Sequence, residues 1–196
     1  MLKKSCLLSV VLLTSVFLVG CGSKEPAKEA EAPPAEPQAQ QTPPPPAAPA
    51  DPNTADVVMK PTQGNTAAGT IHFERHEGEM HVEMQLTGLP AGRHGFHIHE
   101  NGDCSAPDAA SAGGHFNPEN KPHGMPGFGQ YHQGDLGNLE VGADGTVKTD
   151  MHYKFLMMEG PNSIHGKSVV IHAAPDDLKT QPSGNSGARI ACGVIP

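Results

Sequence analysis

The stretch AGTIHFERHEGEMHVEMQL, residues Ala68–Leu86, decides the fold. In its first half Ile71 and Phe73 alternate with His72 and Glu74, and in its second Met80, Val82, Met84 and Leu86 alternate with His81, Glu83 and Gln85. A period of two sends one set to a buried face and the other to water, the pattern of half-buried antiparallel strands. Glu77, Gly78 and Glu79 between the runs supply a hairpin turn. Working outward, Val57–Lys60, Arg93–His99, Thr146–Lys154 and Lys167–His172 carry further strand character, and LPAG, GADG and EGPN punctuate them as turns. With no Trp, 2 Tyr and 23 Gly, the composition suits short strands and long structured loops better than helices. These features predict an all-β sandwich or flattened barrel. Two connections exceed the ordinary length, Glu100 to Leu136 and Ala173 to Ala188, and loops that long tend to carry function.

The chain divides into three parts. Residues 1–20 open with Lys3 and Lys4 followed by an apolar run from Ser5 to Gly20, too short for a membrane span and the right length for a signal peptide. The run ends in LVGC, which resembles the lipobox of bacterial lipoproteins, so Cys21 is the expected lipid-bearing residue of the mature chain; a plain signal peptide with an incidental Cys21 is the alternative. Residues 21–56 are mostly Pro, Ala, Gln and Glu, including PPPP at Pro43–Pro46, and lack the aliphatic side chains a core needs. They read as a disordered, partly polyproline tether. Residues 57–196 suffice for one core and so for one domain. The chain has 13 Lys/Arg against 21 Asp/Glu, a formal net charge of −8, and no basic stripe, which argues against a nucleic-acid partner.

The chemistry lies in FHIHE, GGHFNP, KPHG, YHQGDLGN and VVIHAAPDD. His97 and His99 share one face of a strand whose other face carries Phe96 and Ile98, which sets half of a nitrogen-rich site on rigid backbone. His172 ends a second apolar run and completes that site if it folds back beside them. His115, His123, His132 and Asp135 make three imidazoles and one carboxylate, an ordinary tetrahedral set for zinc. Ligand chemistry therefore assigns His97, His99 and His172 to copper and His123, His132 and Asp135 to zinc, with His115 serving both. Any single histidine among the 12 is more often a solvated or hydrogen-bonded residue than a ligand, and that is the reading given to His72 and His81. Met80 and Met84 are explained by core packing; Met157 and Met158 have no further rationale.

Spacings of eight from His115 to His123, nine to His132 and three to Asp135 match the zinc loop of copper/zinc superoxide dismutases, and the closing GNSGARIACGVIP resembles that family's terminal segment. The resemblance runs from about Val57 to Ile195. It implies Greek-key strand order within an immunoglobulin-like sandwich, a copper redox cycle dismuting superoxide to dioxygen and hydrogen peroxide, and His115 as a bridge that carries a proton. By the same resemblance Arg189 docks the anionic substrate beside copper, Asp176 links a copper-ligand and a zinc-ligand imidazole, and His94 is a hydrogen-bonding strut. Lys179 is the expected steering cation of the second long loop. With Cys6 inside the export segment and Cys21 assigned to lipid, Cys104 and Cys192 remain as one pair in an exported domain, and a disulfide is expected. Cys104 follows NGD directly, as in the family's periplasmic branch, and the sequence ends soon after GVI without the tail that eukaryotic dimers pack together. A monomer or a homodimer is compatible with these departures. The expected location is extracytoplasmic, anchored by lipid to a bacterial membrane. The competing function is a secreted module that buffers or delivers copper and zinc without turnover; loss of a copper ligand or of Arg189 would favour it, and neither is lost.

Overall fold

The computed structural model describes residues 51–196. The expected export segment, Cys21 and the expected tether as far as Ala50 lie outside the described residues. Within them the chain forms β1 (Thr54–Pro61), β2 (Ala68–His76), β3 (Glu79–Thr87), β4 (Gly92–His99), β5 (Asp135–Val141), β6 (Val147–Tyr153), β7 (Ser168–His172) and β8 (Arg189–Val194). A single 3-10 turn, Ala110–Ala112, accompanies them. All strand pairings are antiparallel, in the order β5-β4-β7-β8-β1-β2-β3-β6. β3 and β4 are consecutive in the chain yet distant in this order, as are β6 and β7, so two connections cross from one half to the other in Greek-key fashion. β1 pairs with β2 through Thr54–Met59 and with β8 through Lys60 and Pro61, which joins the halves at a corner. The edge strands β5 and β6 come together across the Gly142–Gly145 turn, so the sheet nearly closes into a flattened barrel.

The alternating residues lie as the sequence predicts. Ile71, Phe73, Met80, Val82, Met84 and Leu86 are at most 1 % exposed and form one core with Val57, Phe96, Ile98, Leu139 and Ile171. The β2–β3 hairpin is closed by Glu77 and Gly78 alone, both with positive φ (49° and 90°). That is the backbone a two-residue turn matching the strands' right-handed twist requires. Two details differ from expectation, and a third settles a point the sequence left open. β1 starts at Thr54, three residues before the anticipated domain start, because Ala55 alternates into the core with Val57 and Met59. β5 begins at Asp135, inside the stretch read as loop, where Gly134 and Gly137 obscure the alternation. Met158 belongs to the core, whereas Met157 is 41 % exposed.

Candidate metal centre

β4 is buried on both faces over its last six residues. Phe96 and Ile98 enter the core, while His97 and His99, 0 and 1 % exposed, are covered by the two long loops. A register shift between Gly95 and His97, a bulge against β5, sets the phase that turns His97 away from the barrel. The first loop docks by extending the sheet: Ile98 N–H donates to Gly134 O, Phe116 N–H to Ile98 O and Gly134 N–H to Phe116 O, each at 2.8 Å, and His115 bridges His99. Gly134 is needed there, since a Cβ would fall 2.2 Å from Ile98 O. β7 runs beside β4 and delivers His172 at its end.

Two groups of four donors result, His97, His99, His115 and His172, and His115, His123, His132 and Asp135, all buried, with the donor atoms of each within 4.8 Å of one another. The bond made by one nitrogen of each ring leaves the other free for a metal. His97 Nε2 lies 2.8 Å from Asp176, His99 Nδ1 2.9 Å from Gly113 O and His172 Nδ1 3.2 Å from Gly187 O, which leaves His97 Nδ1, His99 Nε2 and His172 Nε2 facing inward. In the second group Asp135 Oδ1 lies 2.8, 2.9 and 3.3 Å from Nδ1 of His115, His123 and His132. One carboxylate oxygen facing three imidazoles is a crowded hydrogen-bond geometry. It is close to a tetrahedral ligand shell, whose edges for bonds of about 2.0–2.1 Å are about 3.3 Å. Buried His97 Nδ1 and His115 Nε2 have no hydrogen-bond partner, and His132 Nδ1 meets Asp135 without hydrogen-bond alignment, a costly state that coordination relieves. An all-imidazole set next to a His/Asp set suits copper and zinc respectively.

Burial pushes His97 down, His99 to about 2, His172 to about 3 and, against the pull of Asp135, His115 to about 4, so these rings are neutral with lone pairs available. Burial would also lower His123, but its bonds to Asp135 and Asp176 prevail and raise it to about 9. Burial opposes ionisation of Asp135 and Asp176, yet their histidine partners hold both well below the usual carboxylate range. Asp176 links the two groups, with Oδ2 2.8 Å from His97 Nε2 and Oδ1 2.9 Å from His123 Nε2. His94 places its ring nitrogens 2.8 Å from His172 O and 2.9 Å from Pro90 O, bracing the end of β7.

A cavity of about 380 Å³ opens over His99, His115 and His172, with Arg189 on its wall. Arg189 donates to Ala109 O and Gly113 O. Partial burial lowers its pKa somewhat, and a guanidinium stays charged regardless. Cys104 and Cys192 form a disulfide with Cα atoms 5.8 Å apart, tying the loop that supplies those carbonyls to the strand that supplies Arg189. Lys179 is exposed in the second loop, outside the cavity wall.

Two positioning residues escape sequence reading. Asn138 accepts from Asp176 N–H at 2.7 Å and donates to Asp176 O at 3.0 Å, and Gln181 does the same for His123 at 2.8 Å each way. Each side-chain amide imitates a strand partner, and no local pattern marks such an Asn or Gln.

The family model described as copper/zinc superoxide dismutase matches residues 67–195. An extracellular superoxide dismutase [Cu-Zn] of Brugia pahangi is 43% identical over 151 residues, covering 72% of this chain and 75% of the relative. A superoxide dismutase [Cu-Zn] of Onchocerca volvulus is 42% identical over 144 residues, covering 68% and 90%. The crystal structure of the clock protein EA4 superposes with a TM-score of 0.68 at 39% identity, over 76% of this chain and 97% of that one. With the sheet order, the paired donor groups and these similarities in agreement, the chain belongs to the copper/zinc superoxide dismutase family.

Proposed function

We propose that this chain dismutes superoxide outside the cytoplasm, converting two superoxide ions and two protons to dioxygen and hydrogen peroxide. His97, His99, His115 and His172 hold copper, and His115, His123, His132 and Asp135 hold zinc. Copper, when bound, supplies the one-electron couple the reaction needs. The chain's own residues do the rest. Arg189 offers its remaining N–H groups to the anion at the mouth of the cavity. His115, joined to the zinc group through Nδ1, can hold or give up a proton at Nε2, beside the place where the anion docks. Asp176 fixes the orientation of His97 and His123 together, so the two groups cannot shift independently. Lys179, exposed on the same loop system, adds local positive potential for an anionic substrate on a net negative molecule.

The observation that carries this reading is the charged guanidinium of Arg189 on the open wall beside the four-imidazole group. A module that only stored metal would have no use for an anion dock there. LVGC at residues 18–21 and the Pro-rich stretch behind it support export and anchoring through a lipid on Cys21, and the extracellular relative supports the location. The test is metal content together with dismutation measured with and without cyanide. About one copper and one zinc per chain are expected, with activity that cyanide abolishes. A protein that takes up both metals yet leaves superoxide untouched would make it a metal buffer.

A further inference from the structure

Away from this centre, on the open face of β3 and β6, stands a second constellation of ligand type. His81 and His152 are direct cross-strand partners. Their rings lie 4.0 Å apart, tilted by 37°. Asp150 shares the face by the strand's period of two. Its Oδ2 is 2.9 Å from His152 Nε2 and 3.6 Å from His81 Nδ1. One nitrogen of each ring and a carboxylate oxygen thus lie within 4.8 Å of one another. The other nitrogen of His152, Nδ1, faces Glu79 Oε2 at 3.7 Å, and Lys154 holds Glu79 at 3.2 Å. A carboxylate behind a ligating imidazole is the arrangement that fixes the ring and raises its basicity toward a metal.

An ordinary surface ion pair explains Asp150 with one histidine, but not two imidazoles face to face. Protonated together, the rings repel each other across the strands. Neutral, they present lone pairs to a shared space beside an anion, where a dication fits. We propose that His81, Asp150 and His152 form a third metal site, taking a borderline divalent transition-metal ion such as Cu²⁺ or Zn²⁺, with water completing the shell. Two imidazoles exclude Ca²⁺ and Mg²⁺, which want oxygen, and the Irving–Williams order favours Cu²⁺. All three donors are rooted on paired strands, so the site is preformed. Its side chains are 27, 39 and 46 % exposed for His81, Asp150 and His152, so the ion exchanges with solvent.

The test starts from holoprotein with the copper and zinc centre already filled. Adding Cu²⁺, and Zn²⁺ in parallel, should load one further equivalent, read by calorimetry and by metal analysis after desalting. In the double variant His81→Gln/His152→Gln that uptake should weaken at least about tenfold, with resident metals, dismutation and melting temperature unchanged. Glu79→Gln should weaken it about tenfold through His152. His72→Gln, whose ring pairs with Asp56 instead, should leave it intact. No further equivalent in the parent protein, or one that survives the double substitution, overturns the proposal.

Discussion

Arg189 is held by two backbone carbonyls, so its charge is fixed in place on the cavity wall, as the proposed docking of an anion there requires. Arg189→Ala should keep fold, copper and zinc while slowing dismutation about tenfold or more, the loss expected when a few kcal/mol of charge-assisted binding disappears. Arg189→Lys restores charge without the planar fork and should recover only part of the rate. Small-anion inhibition should weaken in parallel; an Ala variant with full metals and the parent rate would make Arg189 a bystander. Gly184 controls the other side of the centre. Its φ is +65°, and a Cβ there would sit 1.7 Å from Asp176 Oδ1 and 2.7 Å from His123 Nε2. Gly184→Ala must therefore displace the carboxylate that orients both rings. Zinc affinity, measured by chelator competition, should fall about 10–100-fold. Unchanged affinity would mean that Asp176 does not govern the zinc group.

At the scale of elements, the strands and the loops were legible to different degrees. The β2–β3 hairpin could be read outright, because strict alternation and a Gly-containing turn are local properties. The phase of β4 was equally readable, since Phe96 and Ile98 are apolar and His97 and His99 are not. β5 was partly hidden, because its first residue is Asp135 and two glycines interrupt it. The spacing of the loop histidines disclosed which residues gather, but not how. The three loop-to-β4 hydrogen bonds and the amide clamps of Asn138 and Gln181 join residues far apart in sequence and leave no local trace. The disulfide belongs to this scale too, spanning 88 residues between the first loop and β8. Replacing Cys104 or Cys192 by Ser should cost about 2–5 kcal/mol of stability in denaturant melts. It should also slow dismutation, because the loop carbonyls that aim Arg189 lose their tie to its strand. Two reactive thiols in the denatured, unreduced domain of residues 51–196, which holds no cysteines besides these two, would refute the pairing, and a stability loss with unaltered rate would refute its link to Arg189.

The molecule as a whole concentrates ionisable groups in one buried place, and its stability without metal should report on them. His99, His115 and His172 are neutral in the fold down to about 2, 4 and 3, whereas the unfolded chain protonates them near the ordinary imidazole value of 6.5. The unfolded state therefore binds more protons below about 6.5, and stability is lost as pH falls through that window. His123, raised to about 9, acts in the opposite sense, with a contribution full below about 6.5 and lost as pH rises through about 9. Three groups outweigh one on the acid side, so the melting temperature of the metal-free domain should drop between about pH 6.5 and 4. A flat or rising profile there would contradict the burial-driven shifts. Beyond the domain, the sequence before Thr54 bears on where the enzyme works. The stretch from Cys21 to Thr54 can span at most on the order of 100 Å, enough to hold a domain clear of a membrane surface. Under the proposed anchoring through Cys21, the enzyme would meet superoxide on the outer side of a membrane that the anion crosses poorly. Cys21→Ser should move the protein from the membrane to the soluble fraction with its rate per copper unchanged, because the ligands and Arg189 all lie within the folded domain. A variant that stays with the membrane would show that something other than a lipid on Cys21 holds it there.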